Sequence, residues 1–200
     1  MIKNLLLDFG DIFINLDKTA TAKAMEKFGF KTITPALDSL FKKYEKGVIS
    51  TEDFLTTTQE LFPKATKQDL TAAWNAILLD FPDYRLEFIE NLKQSGEYRL
   101  FLLSNTNEMH IHFIIEQMGI EKYERFKNSF EVFYLSYEMK MRKPDMEIFE
   151  YVLRKNNLIA SQTLFVDDTK ENTDTASKLG IKTWNLKVGE EDIIALKSKL

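Results

Sequence analysis

Residues 5–11 read Leu-Leu-Leu-Asp-Phe-Gly-Asp, an apolar run that stops at an acidic residue. Two later stretches have the same form: 102–104 ends at a serine, and 164–168 ends at two aspartates. Short apolar runs that end on a polar residue are typical of buried parallel strands with a functional group at the carboxyl end. The three stretches therefore predict a parallel sheet whose carboxyl edge collects these polar groups, and open α/β sheets bind ligands at that edge.

The rest of the chain divides into two parts. From about residue 18 to residue 80 the apolar pattern is helical throughout, with start and stop signals for four helices near 20–28, 35–46, 50–62 and 66–78. Four helices without a strand among them predict a small bundle. Trp74, Phe41, Tyr44 and Phe54 lie on the apolar faces and are expected to form its core rather than to contact a substrate.

Beyond residue 83, helix and strand patterns alternate. We predict strands at 98–103, 131–135, 163–167 and 181–186, in addition to 3–8, and helices at 84–94, 107–118, 145–155, 172–179 and 190–200. Such alternation indicates βαβ units. The predicted class is α/β, with a Rossmann-like parallel sheet as the core.

Composition excludes several classes of function. The chain has 200 residues, a net charge of −4 and no cysteine, so disulfides and thiolate metal sites are excluded. No block of basic residues indicates a nucleic-acid partner. The apolar stretch near the N-terminus is too short for a signal peptide, and no stretch is long enough to span a bilayer. We expect a soluble cytoplasmic protein without a membrane partner.

The carboxylates at the strand ends predict the chemistry. Asp8, at the end of the first strand, can attack phosphorus and form an aspartyl-phosphate, which splits hydrolysis into two easier steps. Asp167 and Asp168 are adjacent acids that repel each other unless a cation lies nearby. A hard cation with oxygen ligands, Mg²⁺, fits such a pair. Asp168 is also a candidate N-cap of the following helix.

Further residues fit the binding of a phosphate. Lys143 would neutralise the charge of the phosphate and of the nucleophile, and the neighbouring Arg142 could do the same. Ser104, with the backbone amides of Asn105 and Thr106, is expected where a helix begins and can hold phosphate oxygens. Asn172 is a candidate anchor of the 167–168 loop, and His110 is expected to be an ordinary histidine outside any metal pair.

These segments, in this order, resemble the four motifs of the haloacid dehalogenase (HAD) superfamily. The motifs read Asp-Phe-Gly-Asp-Ile from Asp8, then Ser104, then Lys143 in Arg-Lys-Pro-Asp, then Asp167-Asp168. The sequence around these motifs is similar to that of the glucose-1-phosphatase-like subgroup, which is related to the N-terminal phosphatase domain of soluble epoxide hydrolase. The resemblance covers essentially the whole chain.

The resemblance also implies a domain division and a set of metal ligands. It predicts an HAD core made of residues 1–15 and 83–200, and an α-helical cap at 16–82 that closes over the active site. Asp8, the carbonyl oxygen of Gly10 and Asp168 are the implied Mg²⁺ ligands. Asp167 is implied to act through water or a second layer of contacts.

One position departs from the family pattern. HAD phosphatases usually carry a second Asp two residues after the nucleophile, as acid for the leaving alcohol and base for water, and here that residue is Gly10. Members of the glucose-1-phosphatase-like subgroup also lack it. Asp11 and Asp17 are the nearby candidates for the acid and base.

Three functions remain open from the sequence. The first is a Mg²⁺-dependent phosphatase, a hydrolase of phosphoric monoesters, acting on a small phosphorylated metabolite such as the sugar phosphate glucose 1-phosphate. The second is a catalytically weak relative that binds phosphometabolites, and the third is a haloacid dehalogenase that needs no metal. The sequence leaves monomer and homodimer equally open.

Overall fold

The computed structural model describes residues 1–200 and has a five-stranded sheet at its centre. All four strand pairs are parallel, and the spatial order is β3-β2-β1-β4-β5. The predicted α/β class is confirmed. The strands are β1 Asn4–Leu7, β2 Arg99–Ser104, β3 Val132–Leu135, β4 Thr163–Asp167 and β5 Lys182–Asn185.

The central strands are apolar on both faces because helices cover both sides of the sheet. In β1, Leu5 and Leu7 belong to one buried cluster and Leu6 belongs to another, on the opposite face. All three are fully buried. A strand that is buried on both faces reads as a continuous apolar run. This explains the pattern of residues 5–7.

Helices cover the sheet and form the inserted bundle. Between β1 and β2 lie α1 Ala20–Glu26, α2 Pro35–Glu45, α3 Thr51–Leu61, α4 Lys67–Asn75 and α5 Asp83–Ser95. The later helices are α6 Glu108–Met118, α7 Ile120–Lys127, α8 Ser136–Met139, α9 Met146–Lys155 and α10 Lys170–Lys178. Short 3-10 helices occur at Ala160–Gln162 and Ile193–Lys199. No helix is both long enough and apolar enough to cross a membrane.

The helices α1–α4, which we call the cap, have a buried cluster of their own. Met25, Tyr44, Phe54 and Leu70 are among its members, and Trp74 packs against it. The N-cap signals Ser50 and Thr66 hold as predicted. The Thr66 side chain accepts a hydrogen bond from Asp69 N, and Asp69 accepts one from Thr66 N, which is a complete capping box.

Two chain segments join the cap to the core, and they run side by side. Asn15 N donates to Asp80 O at 2.9 Å, Leu79 N donates to Asn15 O at 3.0 Å, and Asp17 N donates to Ile77 O at 2.9 Å. The paired segments fit a hinge between two bodies. The domain division at residues 16 and 82 stays a prediction.

Three elements differ from the sequence prediction. Helix α7 was not predicted, because Gly119, with φ 80°, ends α6 and directly precedes α7. The one-turn helix α8 was also missed. The predicted closing helix at 190–200 is wrong in type, since Ile193–Lys199 is a 3-10 helix. Its buried residues Ile193 and Leu196 are three apart, the repeat of a 3-10 helix.

Candidate functional site

The strand register brings the predicted acidic residues together. Leu7 pairs with Leu102 of β2 and with Val166 of β4, and Asp8 N donates to Val166 O at 3.0 Å. The motif residues that follow these positions therefore meet at one edge of the sheet. Carboxylate oxygens of Asp8, Asp167 and Asp168 all lie within 4.8 Å of one another.

Lys143 is buried among these carboxylates, with 1 % of its surface exposed. Its Nζ lies 2.7 Å from Asp8 Oδ1 and 2.6 Å from Asp167 Oδ2. Burial acts to lower the pKa of Lys143, but the two carboxylates outweigh it and the net pKa is raised. The ammonium therefore stays charged at neutral pH, as its predicted role requires.

Asn105 fixes the position of Lys143. Its Nδ2 donates to Lys143 O and its Oδ1 accepts from Lys143 N, both at 2.8 Å. Because both ends of the amide are used in this way, the Asn105 side chain is not free to bind a phosphate. Its contribution to phosphate binding is limited to the backbone N–H, which donates no hydrogen bond within the protein.

Asp167 is fully buried and holds the site together. Its Oδ1 accepts from Thr169 N at 2.8 Å, and Asn172 Nδ2 lies 3.0 Å from both of its oxygens. With Lys143 on Oδ2, its acceptor sites are largely satisfied by the protein. This agrees with the expected indirect role of Asp167, and Asn172 anchors the loop as predicted.

Asp8 is buried and incompletely satisfied. Its Oδ1 lies 2.7 Å from Lys143 Nζ in the ion pair and accepts no hydrogen bond from any other group. Burial raises the pKa of Asp8 to about 7; Lys143 lowers it, and Asp167 and Asp168 raise it. A buried carboxylate oxygen in this state is suited to a cation.

Asp168 is paired with a lysine that no sequence motif indicated. Lys18 Nζ lies 2.5 Å from Asp168 Oδ2 and 2.9 Å from Asp11 Oδ2. Lys18 and Lys143 thus supply cations to the acidic cluster. The sequence prediction named Mg²⁺ as the cation beside Asp167-Asp168, whereas the structure already has the ammonium groups of Lys143 and Lys18 beside the pair.

The residues present nevertheless fit Mg²⁺. Asp8 offers an unsatisfied buried oxygen, Asp168 lies within ligand distance of it, and the carbonyl oxygen of Gly10 accepts no hydrogen bond within the protein. All three are oxygen donors, which is the set that Mg²⁺ prefers. Lys18 would have to give up Asp168 when the ion binds.

Only some of the hydrogen-bond donors expected to bind a phosphate after β2 are free to do so. Ser104 is buried at the end of the strand. Thr106 N, however, donates to Ser136 Oγ at 2.9 Å and is not free. Helix α6 begins at Glu108, one residue after the predicted start, with Asn107 as its N-cap. The backbone amides of residues 105 and 106 therefore precede the helix and are not part of its N-terminus.

The two candidates for the acid and base differ in position. Asp11 adopts a left-handed backbone conformation with φ 55°, and its carboxylate accepts from Leu16 N and pairs with Lys18. Asp17 accepts from Thr19 N and Oγ1, and these hydrogen bonds lower its pKa. Asp11 and Asp168 bind the same ammonium group, that of Lys18. The Asp17 carboxylate instead accepts hydrogen bonds from Thr19 at the start of α1.

Arg142 does not duplicate Lys143. Its guanidinium binds Glu45 at the end of α2, with Nε and Nη2 at 3.1 and 3.0 Å from Oε2. The pair joins the cap to the core. Asp168 is likewise not an N-cap, since the residue in that position is Thr169 and no side chain caps α10.

A polar cleft of about 730 Å³ lies between α2 and the core residues around Lys143. Lys143, Asn105 and Asn172 line its core side. The cap side carries a group of lysines from α2 and the residue after it: Lys42, Lys43 and Lys46. Lys42 pairs with Asp38 and Lys46 pairs with Asp145, so those two ammonium groups are already partly neutralised.

Comparison with known proteins agrees with this geometry. Residues 18–186 match the model of the family described as haloacid dehalogenase-like hydrolase. The chain is 28 % identical over 197 residues to D-ribitol-5-phosphate phosphatase of Bacteroides thetaiotaomicron, covering 96 % of this chain and 95 % of that protein.

Solved structures give the same result. The wild-type HAD family enzyme BT-2542 of Bacteroides thetaiotaomicron, in complex with magnesium and inorganic phosphate, superimposes with a TM-score of 0.80 and 37 % identity over 96 % of this chain and 97 % of that one. A predicted HAD-like family hydrolase from Porphyromonas gingivalis gives a TM-score of 0.86 and 29 % identity over 100 % and 97 %. Family model, sequence relative and superimposed structures agree, and the chain belongs to the haloacid dehalogenase-like hydrolases.

Proposed function

We propose that this protein is a Mg²⁺-dependent phosphatase that hydrolyses a small phosphorylated metabolite through an aspartyl-phosphate on Asp8. One observation carries the proposal. A buried carboxylate at a strand end, Asp8, has an ammonium 2.7 Å away and two further carboxylates within 4.8 Å. A nucleophile, a cation for the phosphate and a set of oxygen ligands are thus present in one place.

Each of these groups has a separate role in the proposed reaction. An Asp8 oxygen attacks phosphorus, the bond from phosphorus to the alcohol oxygen breaks, and the phosphoryl group is carried by Asp8 until water attacks it and releases phosphate. Lys143, Ser104 Oγ and the Asn105 backbone N–H hold the phosphoryl oxygens. Asp167 and the Asn105 side chain keep Lys143 in position.

Asp8, Asp168 and the carbonyl of Gly10 would hold the magnesium ion, and the bound ion supplies positive charge that offsets the phosphate and lowers the repulsion between it and Asp8. The complex of BT-2542 with magnesium and inorganic phosphate supports the use of Mg²⁺ with a phosphate ligand. Asp8 is otherwise held near a pKa of about 7, so a cation beside it would also favour the carboxylate form that attacks.

For the acid and base we propose Asp11 over Asp17. Asp11 is bridged by Lys18 to Asp168, at the edge of the acidic cluster, whereas the Asp17 carboxylate accepts two hydrogen bonds from Thr19. Asp11→Asn should lower turnover of poor leaving groups more than that of good ones, while Asp17→Asn should leave the ratio unchanged.

Within this class of substrate, sugar and polyol phosphates form the first panel. Glucose 1-phosphate is predicted by the subgroup that the motifs resemble, and D-ribitol 5-phosphate is the substrate named for a relative. Phosphate release from such a panel, with Mg²⁺ and with EDTA, tests the proposal, and Asp8→Asn is the control. Turnover in Mg²⁺ that EDTA and Asp8→Asn both abolish is the expected result.

The other two functions give different results in the same assay. A phosphometabolite-binding relative would bind the esters without releasing phosphate. A haloacid dehalogenase would release halide from 2-haloacids in EDTA. Because Lys18 and Lys143 neutralise much of the acidic cluster, the dehalogenase function is less disfavoured than the sequence indicated. The assay therefore includes a 2-haloacid.

A further inference from the structure

The cap contains a second space beside the catalytic residues, which we call the cap cavity. Its volume is about 210 Å³, and ten of its fifteen lining residues are hydrophobic. All four cap helices contribute to it, and His110 of α6 closes it on the core side. The main apolar walls are Met25, Phe41, Phe54, Phe62 and Trp74.

The cap cavity borders the catalytic centre at one end. Lys18 lines it, and Lys18 Nζ lies 2.5 Å from Asp168 Oδ2. A carboxylate oxygen of Asp168 lies within 4.8 Å of one of Asp8. Glu45 lines it as well and is bound by Arg142, the neighbour of Lys143 in the chain. The alcohol part of an ester attacked by Asp8 is therefore within reach of this cavity.

The hydrogen-bond donors of the wall's threonines and of His110 already have partners. Thr58 Oγ1 donates to Phe54 O at 2.7 Å, and Thr21 Oγ1 and His110 Nε2 both donate to Trp74 O, at 3.4 and 3.1 Å. Burial lowers the pKa of His110 to about 4, so its ring is neutral at pH 7. One group, Trp74 Nε1, is buried without a partner.

These walls discriminate between classes of alcohol. The hydroxyl groups of a polyol would leave water for a mostly apolar wall whose hydroxyl and imidazole donors are engaged and whose Trp74 Nε1 is inaccessible, so most of the hydrogen bonds that they accept in water would be lost. An apolar group has no hydrogen bonds to water to lose, and it gains contacts with the aromatic walls. An apolar cavity of about 150 Å³ is large enough for benzene, so this one accommodates a single ring or a short branched chain.

We propose that the preferred substrate is a phosphate monoester whose alcohol has an apolar end of about this size, and that this end binds in the cap cavity. The inference rests on the proposed phosphatase function and narrows its substrate class. It places amphipathic esters ahead of sugar and polyol phosphates. Ile33, at the cavity wall, is 57 % exposed, so the cavity reaches the surface and a longer chain can extend past it.

The test compares two esters of primary alcohols, 3-methylbutyl phosphate and D-ribitol 5-phosphate, whose leaving groups are of the same type. In the native enzyme with Mg²⁺ we expect kcat/KM to be at least about tenfold higher for the 3-methylbutyl ester, the size of effect that a few apolar contacts give. Ala22→Leu, which narrows the cavity from α1, should lower kcat/KM for that ester about tenfold and leave the ribitol ester nearly unchanged.

A matched control is available on the neighbouring helix. Ala72 is exposed on α4 and does not line the cavity, so Ala72→Leu should change neither value. If the ribitol ester is preferred, or if Ala22→Leu lowers both values equally, the inference is overturned while the phosphatase function stands.

A binding measurement separates this inference from the proposed function. Asp8→Asn cannot form the aspartyl-phosphate, so calorimetry on this variant measures binding of the two esters without turnover. Tighter binding of the 3-methylbutyl ester, lost on adding Ala22→Leu, supports the inference. Tighter binding of the ribitol ester refutes it, even if the native enzyme proves to hydrolyse neither.

Discussion

Lys18 reaches from the segment before α1 to Asp168 at the end of β4, with 2.5 Å between Nζ and Oδ2. The same ammonium binds Asp11, so one lysine joins the hinge region, the cap and the proposed metal site. Burial acts to lower the pKa of Lys18, but its hydrogen bonds to Asp168 and Asp11 raise it above its usual range. It therefore remains a cation that competes with any metal for Asp168.

Replacing this lysine should strengthen metal binding. In Lys18→Met the oxygen of Asp168 is released and a positive charge is removed from the metal's surroundings. The Lys18 side chain is 55 % exposed, so water screens its pairing with Asp168 and the effect on metal affinity is small. We expect the dissociation constant for Mg²⁺ to fall about two- to fivefold. Calorimetric titration with Mg²⁺ measures it. Lys23→Met, on the exposed side of α1, is the control and should leave the constant unchanged.

Asp8→Asn should raise stability in a way that depends on pH. The pKa of Asp8 is raised from 3.8 to about 7 in the folded protein, so the folded state holds this proton more tightly than the unfolded state. The stabilisation from Asp8 is complete below about pH 4 and is lost as the pH rises through 7. Asn does not titrate, so the variant's advantage should grow between these values, to on the order of a few kcal/mol.

Denaturant unfolding in EDTA at pH 4 and pH 8 measures this effect. Asp17→Asn is the matched control with the opposite sign, because the pKa of Asp17 is lowered. Its stabilising contribution is present above about pH 4 and is lost as the pH falls. An Asp8→Asn variant that is no more stable than the native protein at pH 8 would argue against the raised pKa.

Removing the Asn105 side chain should impair catalysis through Lys143. Asn105→Ala loses both hydrogen bonds that hold the Lys143 backbone, so we expect the free energy of unfolding to fall by about 1–3 kcal/mol. The phosphate site should loosen as well, with kcat reduced about 10- to 100-fold. Asn156→Ala is a suitable control: Asn156 bonds Val152 O and Tyr134 Oη away from the site. It should lose stability but keep kcat.

Gly10→Asp should change how the rate depends on the leaving group. A Cβ at Gly10 would lie 2.9 Å from Leu16 Cδ1, the end of a flexible side chain, and the backbone is not in the left-handed region. The substitution is therefore tolerated once Leu16 turns away. Because the Asp11 carboxylate is bound to Lys18, we expect it to protonate the alcohol only in part, so that the native rate falls as the alcohol becomes less acidic and Gly10→Asp flattens the dependence. A native dependence that is already flat would contradict this prediction and would indicate that Asp11 alone is a sufficient acid.

The sheet and its carboxyl edge could be predicted because they depend on local patterns. The stretch 5–8 is apolar up to its last residue since β1 is covered on both faces, and the same holds for 164–167. Parallel pairing then brings the strand ends together whatever the loops do. The four cap helices could also be predicted, because their apolar pattern is local. For α3 and α4 the N-cap residues Ser50 and Thr66 added a signal, since each accepts a hydrogen bond from a nearby backbone amide of its own helix.

Contacts between distant segments could not be predicted in this way. Lys18 and Asp168 are 150 residues apart, and Lys18 belongs to no motif, so nothing local distinguished it from a solvated lysine. Asp11 adopts φ 55°, a conformation uncommon for residues other than glycine, and an extended chain would have directed it elsewhere. The Trp74 face was correctly assigned to the cap core, but a cavity beside it depends on how four helices pack.

The most direct test of the phosphatase proposal is to identify the residue that carries the phosphoryl group. The native enzyme is mixed with Mg²⁺ and substrate, quenched, reduced with borohydride and digested for mass spectrometry. Borohydride converts an aspartyl-phosphate to homoserine, so we predict homoserine at position 8 in the native enzyme and none in Asp8→Asn. Unmodified Asp8 in an enzyme that releases phosphate, or homoserine at another aspartate, would contradict the assignment of Asp8 as the nucleophile.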